Sequence, residues 1–247
     1  MPTIATDGSS LGTPMADGTR KAEGHGGWAA VIQFERDHPI APGWSQELVG
    51  GKRLTTTGEV EVLGFLGALK AVQAYRRALA TDPANAIITS ACTFKLVLDS
   101  KYVIDTYREH LPRWIANDWR KSTPGKIKHQ RLWQAIASLK SEIGHMITID
   151  HQKGHTRRAG DGIVDANVEA NDRADYAAGV VSRSIRDTGF IPQPQPIVWR
   201  AHASSAGDRE ADIEKLRLLA ERILTIHGRD AAVTAFRLAT FNTGVSE

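Results

Sequence analysis

Carboxylates at the ends of predicted strands are the residues of this sequence best suited to chemistry. Asp7 follows the apolar run Thr3–Thr6, and Asp99 follows the run Phe94–Leu98. Open α/β sheets place ligand sites at the carboxyl ends of their strands, because the crevice opens there. A single carboxylate at such a place is also a common turn or cap residue. Two of them on adjacent strands would come within reach of one cation, and the pair therefore predicts a metal site.

The elements that must hold these carboxylates follow from hydrophobic periodicity. Short apolar runs between turn residues predict strands, with antiparallel neighbours among the first three: 3–6, 28–34, 45–54, 94–98 and 146–149. Apolar residues at three- and four-residue spacing predict helices: 58–79, 130–141 and 166–181. Ser100 is suited to cap a further helix after the fourth strand. Strands first, then strands alternating with helices, indicate an α/β layer fold with a mixed sheet.

The end of the sequence differs in composition from what precedes it. Three prolines at alternate positions predict an extended linker: Pro192, Pro194 and Pro196. An apolar stripe within 208–227 then predicts an amphipathic helix, which must be covered by this domain, a second copy or a protein partner. These features predict three parts: a catalytic domain over 1–188 that folds alone, the linker 189–199, and a helical C-terminal extension of unknown role over 200–247.

Composition excludes several protein classes. No apolar run approaches the ~20 residues of a membrane-spanning helix, and the N-terminus has no secretory signal pattern. Cys92 is the only cysteine, so a disulfide framework is excluded and a reducing compartment is expected. We therefore expect a cytoplasmic protein with no membrane contact.

Basic residues are concentrated in one part of the chain. The net charge is only +3, but the stretch 108–131 has seven Lys or Arg residues against Glu109 and Asp118. A nucleic-acid phosphate track would have this composition. An ordinary solvated surface would have it as well, so the charge distribution leaves both interpretations open.

Five short motifs occur in a fixed order: T-D-G-S at 6–9, T-x-x-x-x-E at 56–61, L-D-S-x-Y-V at 98–103, K-G-H at 153–155 and N-x-R-x-D at 171–175. Each is weak alone, but five in the expected strand and helix contexts are specific. Over residues 3–184 the chain resembles the ribonuclease H family, type 1, in its bacterial form without an N-terminal hybrid-binding domain. The resemblance implies a ribonuclease H-like α/β fold, a five-stranded mixed sheet flanked by helices. It also implies an endonuclease that hydrolyses the RNA strand of RNA–DNA hybrids and leaves 5′-phosphates.

The resemblance also implies roles for individual residues. Four match the family's metal-binding carboxylates: Asp7, Glu61, Asp99 and Asp175. Mg²⁺ prefers such oxygen ligands, and two ions per site are expected, with Mn²⁺ as an alternative. His155 matches the loop histidine that assists proton transfer. The predicted nucleic-acid contacts are Ser9, Thr13, Thr57, Asn171, Trp114, Trp119, Arg120, Lys121 and Lys128.

Two of the carboxylate assignments have competitors. Glu59 is as near as Glu61 to the start of its helix, where the helix dipole favours a carboxylate. The spacing of the family motif, and not helix phase, selects Glu61. Asp172 competes with Asp175, which we prefer because it lies four residues after Asn171 and shares its helix face.

Other assignments leave alternatives open. Trp114 and Trp119 could pack into a small core of their own rather than meet nucleic acid, and Trp133 is predicted to be a core residue. Thr57 and Gly58 stand where the family commonly has asparagines, which makes the preference for hybrid less certain. A related four-carboxylate nuclease acting on DNA and a non-catalytic hybrid-binding domain therefore remain as competing functions.

Overall fold

The computed structural model describes residues 1–14, 20–36, 38, 43–80, 92–121, 124–153, 166–195 and 197. Within them, five strands form one sheet: β1 (Thr3–Pro14), β2 (Arg20–Gln33), β3 (Ser45–Thr55), β4 (Phe94–Leu98) and β5 (Ile147–His151). Their order across the sheet is β3-β2-β1-β4-β5. The first three strands pair antiparallel, whereas β4 pairs parallel with both β1 and β5. The predicted five-stranded mixed sheet is confirmed.

Helices flank this sheet: α1 (Thr57–Ala80), α2 (Lys101–Asp105), α3 (Leu111–Ala116), α4 (Gln130–Ile143) and α5 (Ala166–Thr188). A π-helical turn, Thr106–His110, joins α2 to α3. Ser100 caps α2 as expected, since its side chain accepts a hydrogen bond from the Val103 amide. None of the described helices is long and apolar enough to cross a lipid bilayer.

The main hydrophobic core lies on the face of the sheet that α1 and α4 cover. It includes Phe65 of α1, Leu96 of β4 and the fully buried Trp133 of α4, and the last confirms the prediction made for that tryptophan. The opposite face is covered by α5, where Ala170 and Ala174 pack against Ala5 of β1. Small residues at this interface let α5 lie close to the sheet.

The first strand is longer than its apolar residues predict, and Asp7 does not lie at a strand end. β1 continues through Asp7 to Pro14, paired with a similarly extended β2. The pairing of β1 with β4 nevertheless stops at Thr6 and Leu98. Asp7 and Asp99 each follow the last residue of this parallel pair. The two are neighbours, as expected, because the β1–β4 pairing ends there and not because β1 itself ends.

The chain after α5 returns to the domain. Residues 189–195 are neither helix nor strand, but Ile197 packs against the main core, beside Phe34 and Trp44. Residues 81–91 and 198–247 lie outside the described part, including Asp82-Pro83 and the predicted amphipathic helix.

Candidate active site

Asp7 lies where β1 passes between two helices on opposite faces of the sheet. Because side chains alternate along a strand, Asp7 faces the same side as Ala5, toward α5 and its Asp175. Gly8 faces α1. A Cβ on Gly8 would lie 2.4 Å from the amide nitrogen of Glu61, so only glycine lets the start of α1 approach this closely. The approach brings Glu61 to the same region as Asp7.

The Asp7 carboxyl lies in a field of like charge. Burial, together with the negative charges of Asp99, Asp175 and Glu61, raises the pKa of Asp7 from 3.8 to about 8. The hydrogen bond that its Oδ1 accepts from the Gly8 amide, 2.6 Å long, opposes this rise. Three carboxylates from other elements are thus within electrostatic range of Asp7, an arrangement that is unfavourable unless a cation offsets it.

Glu61 is held by a residue for which the sequence predicted only a capping role. The Ser100 hydroxyl donates a 2.8 Å hydrogen bond to Glu61 Oε2 while its oxygen caps α2. Burial raises the pKa of the Glu61 carboxyl, as does the charge of Asp99, and the hydrogen bond from Ser100 opposes them. Ser100 therefore orients Glu61 Oε2, and its own side chain is held in place by the hydrogen bond from the Val103 amide.

Glu59, the alternative to Glu61, forms hydrogen bonds and a salt bridge with neighbouring residues. Its amide donates to the Thr56 hydroxyl at 3.3 Å, and its carboxylate accepts from the Thr55 hydroxyl at 3.0 Å and pairs with Lys52. Burial disfavours the charge, but the hydrogen bonds from Lys52 and Thr55 outweigh it and lower the pKa of Glu59. Because Glu59 already pairs with Lys52, Glu61 is the better candidate to bind a cation.

The other two carboxylates differ in their surroundings. Asp99 follows β4, and the His151 ring nitrogen Nε2 lies 3.2 Å from the Asp99 backbone oxygen, which ties the end of β5 to this segment. Asp175 is partly exposed on α5. Asn171, one turn earlier, is only 3% exposed, and its Oδ1 has no hydrogen-bond partner among the described residues. Asn171 is therefore the most buried of the predicted nucleic-acid contacts whose side chains are described.

The donor types fit a hard divalent cation, but the side chains do not converge into a finished coordination shell. In the described part of the chain, no three His, Cys, Asp or Glu side chains are arranged to hold a metal ion. Repulsion between like charges favours this separation when no cation is bound. A side-chain rotation would be enough to turn a carboxylate toward a cation.

The predicted nucleic-acid contacts are dispersed around the site. Thr57 is exposed at the start of α1, and Ser9 is partly buried, its hydroxyl 3.4 Å from that of Ser182. Trp114 and Trp119 are partly buried and pack against the main core, not in a small core of their own. Like Thr57, the three basic positions are exposed: Arg120, Lys121 and Lys128. His155 and the side chain of Thr13 lie outside the described residues, as do Asp161 and Asp165.

Sequence patterns missed one basic residue, Lys52, which lies near the predicted contact Lys128. Burial lowers the pKa of the His129 imidazole, as do the charges of Lys128 and Lys52, whereas Glu59 opposes them. The start of α4 and the end of β3 thus bring Lys128 and Lys52 to the same rim. Lys52 lies within the predicted strand 45–54, and nothing in the sequence pattern paired it with Lys128.

Comparisons with known proteins agree with this fold. The model of the RNase H family matches residues 2–182. "Ribonuclease H" of Mesorhizobium japonicum is 29% identical over 212 residues, which are 82% of this chain and 95% of that protein. The solved PFV RNase H domain has 21% identity and a TM-score of 0.53, covering 74% of this chain and 94% of that chain. The foamy viral protease-reverse transcriptase in complex with RNA/DNA hybrid has 19% identity and a TM-score of 0.50, covering 74% of this chain but only 20% of that chain.

A mixed sheet of this order, with helices on both faces, is an α/β fold of the ribonuclease H type. The chain belongs to the RNase H family, and its enzyme class is that of a ribonuclease H, a nucleic-acid-binding hydrolase. The predicted family and enzyme class are confirmed.

Removing the Ser100 hydroxyl should slow cleavage by more than the loss of a helix cap explains. In Ser100→Gly, a glycine cap keeps α2 within a few tenths of a kcal/mol, while Glu61 loses its 2.8 Å hydrogen bond. We expect a reduced turnover number and a higher Mg²⁺ requirement with an almost unchanged Tm. Ser100→Thr, which keeps the hydroxyl, is the matched control and should restore both. Equal cleavage by Ser100→Gly and wild type at limiting Mg²⁺ would leave Ser100 as a cap only.

Proposed function

We propose that this chain is an endonuclease that hydrolyses the RNA strand of RNA–DNA hybrids with two divalent cations, Mg²⁺ or Mn²⁺. Asp7, Glu61, Asp99 and Asp175 would hold them. The observation that carries this proposal is the Asp7 carboxyl, whose pKa is raised to about 8 by burial and by the other three carboxylates. When bound, such ions activate the attacking water and stabilise the leaving 3′-oxygen.

The chain's own residues position these ligands. The Gly8 amide orients Asp7 Oδ1, and Ser100 orients Glu61 Oε2. His155 is the proposed proton-transfer group. It follows Lys153 by two residues on the chain after β5, the strand whose His151 contacts the Asp99 backbone. A histidine suits proton transfer because its ordinary pKa is near neutrality.

Substrate binding would use the basic rim together with polar groups near the carboxylates. Lys128 and Lys52 lie close to the start of α1, and Arg120 and Lys121 are exposed on the loop before α4. Such cations neutralise phosphates and position the duplex, but they do not identify the sugar. Thr57 and Ser9 are the candidates for hydroxyl contacts, and contacts to 2′-hydroxyl groups are how a protein distinguishes RNA from DNA. A hybrid partner is also found in the foamy viral structure.

The salt dependence of hybrid binding should test the exposed cations. We expect Arg120→Ala with Lys121→Ala to lower the slope of log K against log salt by about two units, roughly one for each lost phosphate contact. The control with the same charge change is Arg183→Ala with Arg186→Ala, on the far end of α5, and its slope should equal that of the wild type. If the two double variants show the same slope, the loop before α4 is not part of the binding surface.

One cleavage assay separates the proposed function from its competitors. Matched RNA–DNA hybrid, duplex RNA and duplex DNA would be incubated with the full chain and Mg²⁺, with EDTA as the control. We expect endonucleolytic cuts with 5′-phosphate ends in the RNA strand of the hybrid alone. Cleavage of duplex DNA would favour the related four-carboxylate nucleases, and hybrid binding without cleavage would favour a non-catalytic domain.

A further inference from the structure

The chain after α5 leaves one face of the sheet and reaches the other. α5 ends at Thr188, and Gly189 adopts a φ of +71° while its carbonyl accepts a hydrogen bond from Arg53 of the edge strand β3. Ile197 then packs in the main core, on the side that α1 covers. The segment therefore passes around the β3 edge of the sheet. We call residues 189–197 the strap.

Where the strap arrives, it borders an apolar groove of about 270 Å³. The walls are Leu63, Leu66 and Ala74 of α1, and Leu48 of β3. Trp28 forms the floor, with its ring packed so closely against Gly50 and Gly67 that a Cβ at either would lie 2.6 Å from it. Pro194 and Ile197 of the strap close one end. The groove opens to solvent and its lining is mostly apolar, so it is suited to receive further apolar side chains.

The sequence that continues from the strap carries such side chains. Residues 198–207 can span roughly 33–36 Å when extended, and the segment 208–227 follows with an apolar stripe at helical spacing: Ile213, Leu216, Leu219, Ile223 and Ile226. Because Ile197 is already seated at the end of the groove, this tether keeps the stripe beside it at a high effective concentration. A second copy of the chain would have to compete from free solution.

We propose that residues 208–227 dock within the same molecule into the groove between α1 and β3, with the apolar stripe facing Trp28. The groove wall is α1, whose first turns carry Glu61. The docked segment would therefore support the helix that presents one of the site carboxylates. This proposal does not depend on the substrate, and a failed cleavage assay would leave it standing.

Cysteine crosslinking in the full chain tests the proposal. Ala74→Cys with Leu219→Cys places one thiol on the groove wall and one on the stripe, and the native Cys92 is buried. Ala74→Cys with Glu221→Cys is the matched control, since position 221 lies on the opposite side of a helix. Mild oxidation, followed by non-reducing electrophoresis, should give an intramolecular disulfide roughly tenfold faster or more for the Leu219 pair.

A further variant distinguishes docking from random collision. Adding Leu216→Glu and Ile223→Glu to the Leu219 pair should slow its crosslinking to the rate of the control, because two charges would enter the groove. Equal rates for the two original pairs, or a rate unchanged by the glutamates, would overturn the proposal. So would crosslinks found only between chains and increasing with protein concentration, since these would assign the groove to a second copy.

Discussion

Asp99→Asn should abolish most cleavage while leaving the metal-free protein at least as stable as the wild type. The substitution keeps the side-chain shape but removes one negative charge from the group that surrounds Asp7. If the site binds cations, a ligand and its charge are lost together, and a cation contributes several kcal/mol to such a reaction. Since 1.36 kcal/mol corresponds to a factor of ten in rate, we expect a loss of roughly 100-fold or more. The measurement is steady-state cleavage of hybrid at saturating Mg²⁺.

The pH dependence of unfolding supplies the second half of this test. The pKa of Asp7 is about 8 in the folded protein against an ordinary value of 3.8, so the folded state binds its proton more tightly than the unfolded state. The stability linked to this proton is complete below about pH 4 and is lost as the pH rises toward 8. Without metal, the Tm of the wild type should therefore decrease from pH 5 to pH 8. The Tm of Asp99→Asn should decrease less over the same pH range, because removing the Asp99 charge lowers the pKa of Asp7.

Added Mg²⁺ should then raise the Tm of the wild type at pH 8 more than that of the variant, since it binds only the folded state. A residue with a purely structural capping role would give the opposite pattern. Asp99→Asn would melt lower at every pH, Mg²⁺ would have little effect, and the remaining cleavage would follow the folded fraction. That result would remove Asp99 from the proposed metal site.

Gly8→Ala should damage both stability and cleavage, although it adds only one methyl group. The new Cβ would lie 2.4 Å from the Glu61 amide nitrogen and 2.5 Å from the Val60 carbonyl carbon. Backbone atoms cannot rotate away as a side chain can, so α1 must shift relative to β1. Forced insertions of this kind cost about 1–3 kcal/mol, and the shift would displace Glu61 from Asp7. We expect a Tm lower by several degrees and a cleavage loss larger than the folded fraction explains.

Gly58→Ala is the matched control, because it makes the same chemical change in the first turn of α1. There the nearest atom to a new Cβ is a ring carbon of Tyr102 at 3.6 Å, an ordinary contact. Alanine is favoured over glycine in a helix by up to about 1 kcal/mol, so the Tm should rise or stay constant. If both substitutions change the Tm alike, the close approach of β1 and α1 does not constrain the site.

The elements that the sequence predicts best are those whose signal is local. β4 matches the predicted bounds 94–98 at both ends, because a buried apolar run is bounded by polar residues. β1 was predicted to stop at Thr6, since the residues after Asp7 are small and polar. It continues to Pro14 because β2 supplies a partner for every residue there apart from one irregularity, and pairing between strands outweighs intrinsic preference.

Within the site, the residue types were predictable and their relations were not. The motifs pointed to Asp7 and Asp99, but the hydrogen bond from Ser100 to Glu61 joins residues 39 positions apart and depends on how α1 packs beside α2. The resemblance named Asn171 as a nucleic-acid contact, and the shared helix face with Asp175 gave no indication of its burial. The packing of α5 against β1 buries it, and helix phase alone does not show how deeply a face is covered.

The four carboxylates come from β1, α1, the end of β4 and α5, so the site exists only when these parts of the chain have come together. The parallel pair of β1 and β4 needs all of α1 to have been synthesised, and Asp175 is delivered later still, by the last described helix. In the proposed site, a polypeptide still emerging from the ribosome would lack its last carboxylate until α5 had been synthesised and packed. Cleavage would therefore begin only after the whole domain had folded.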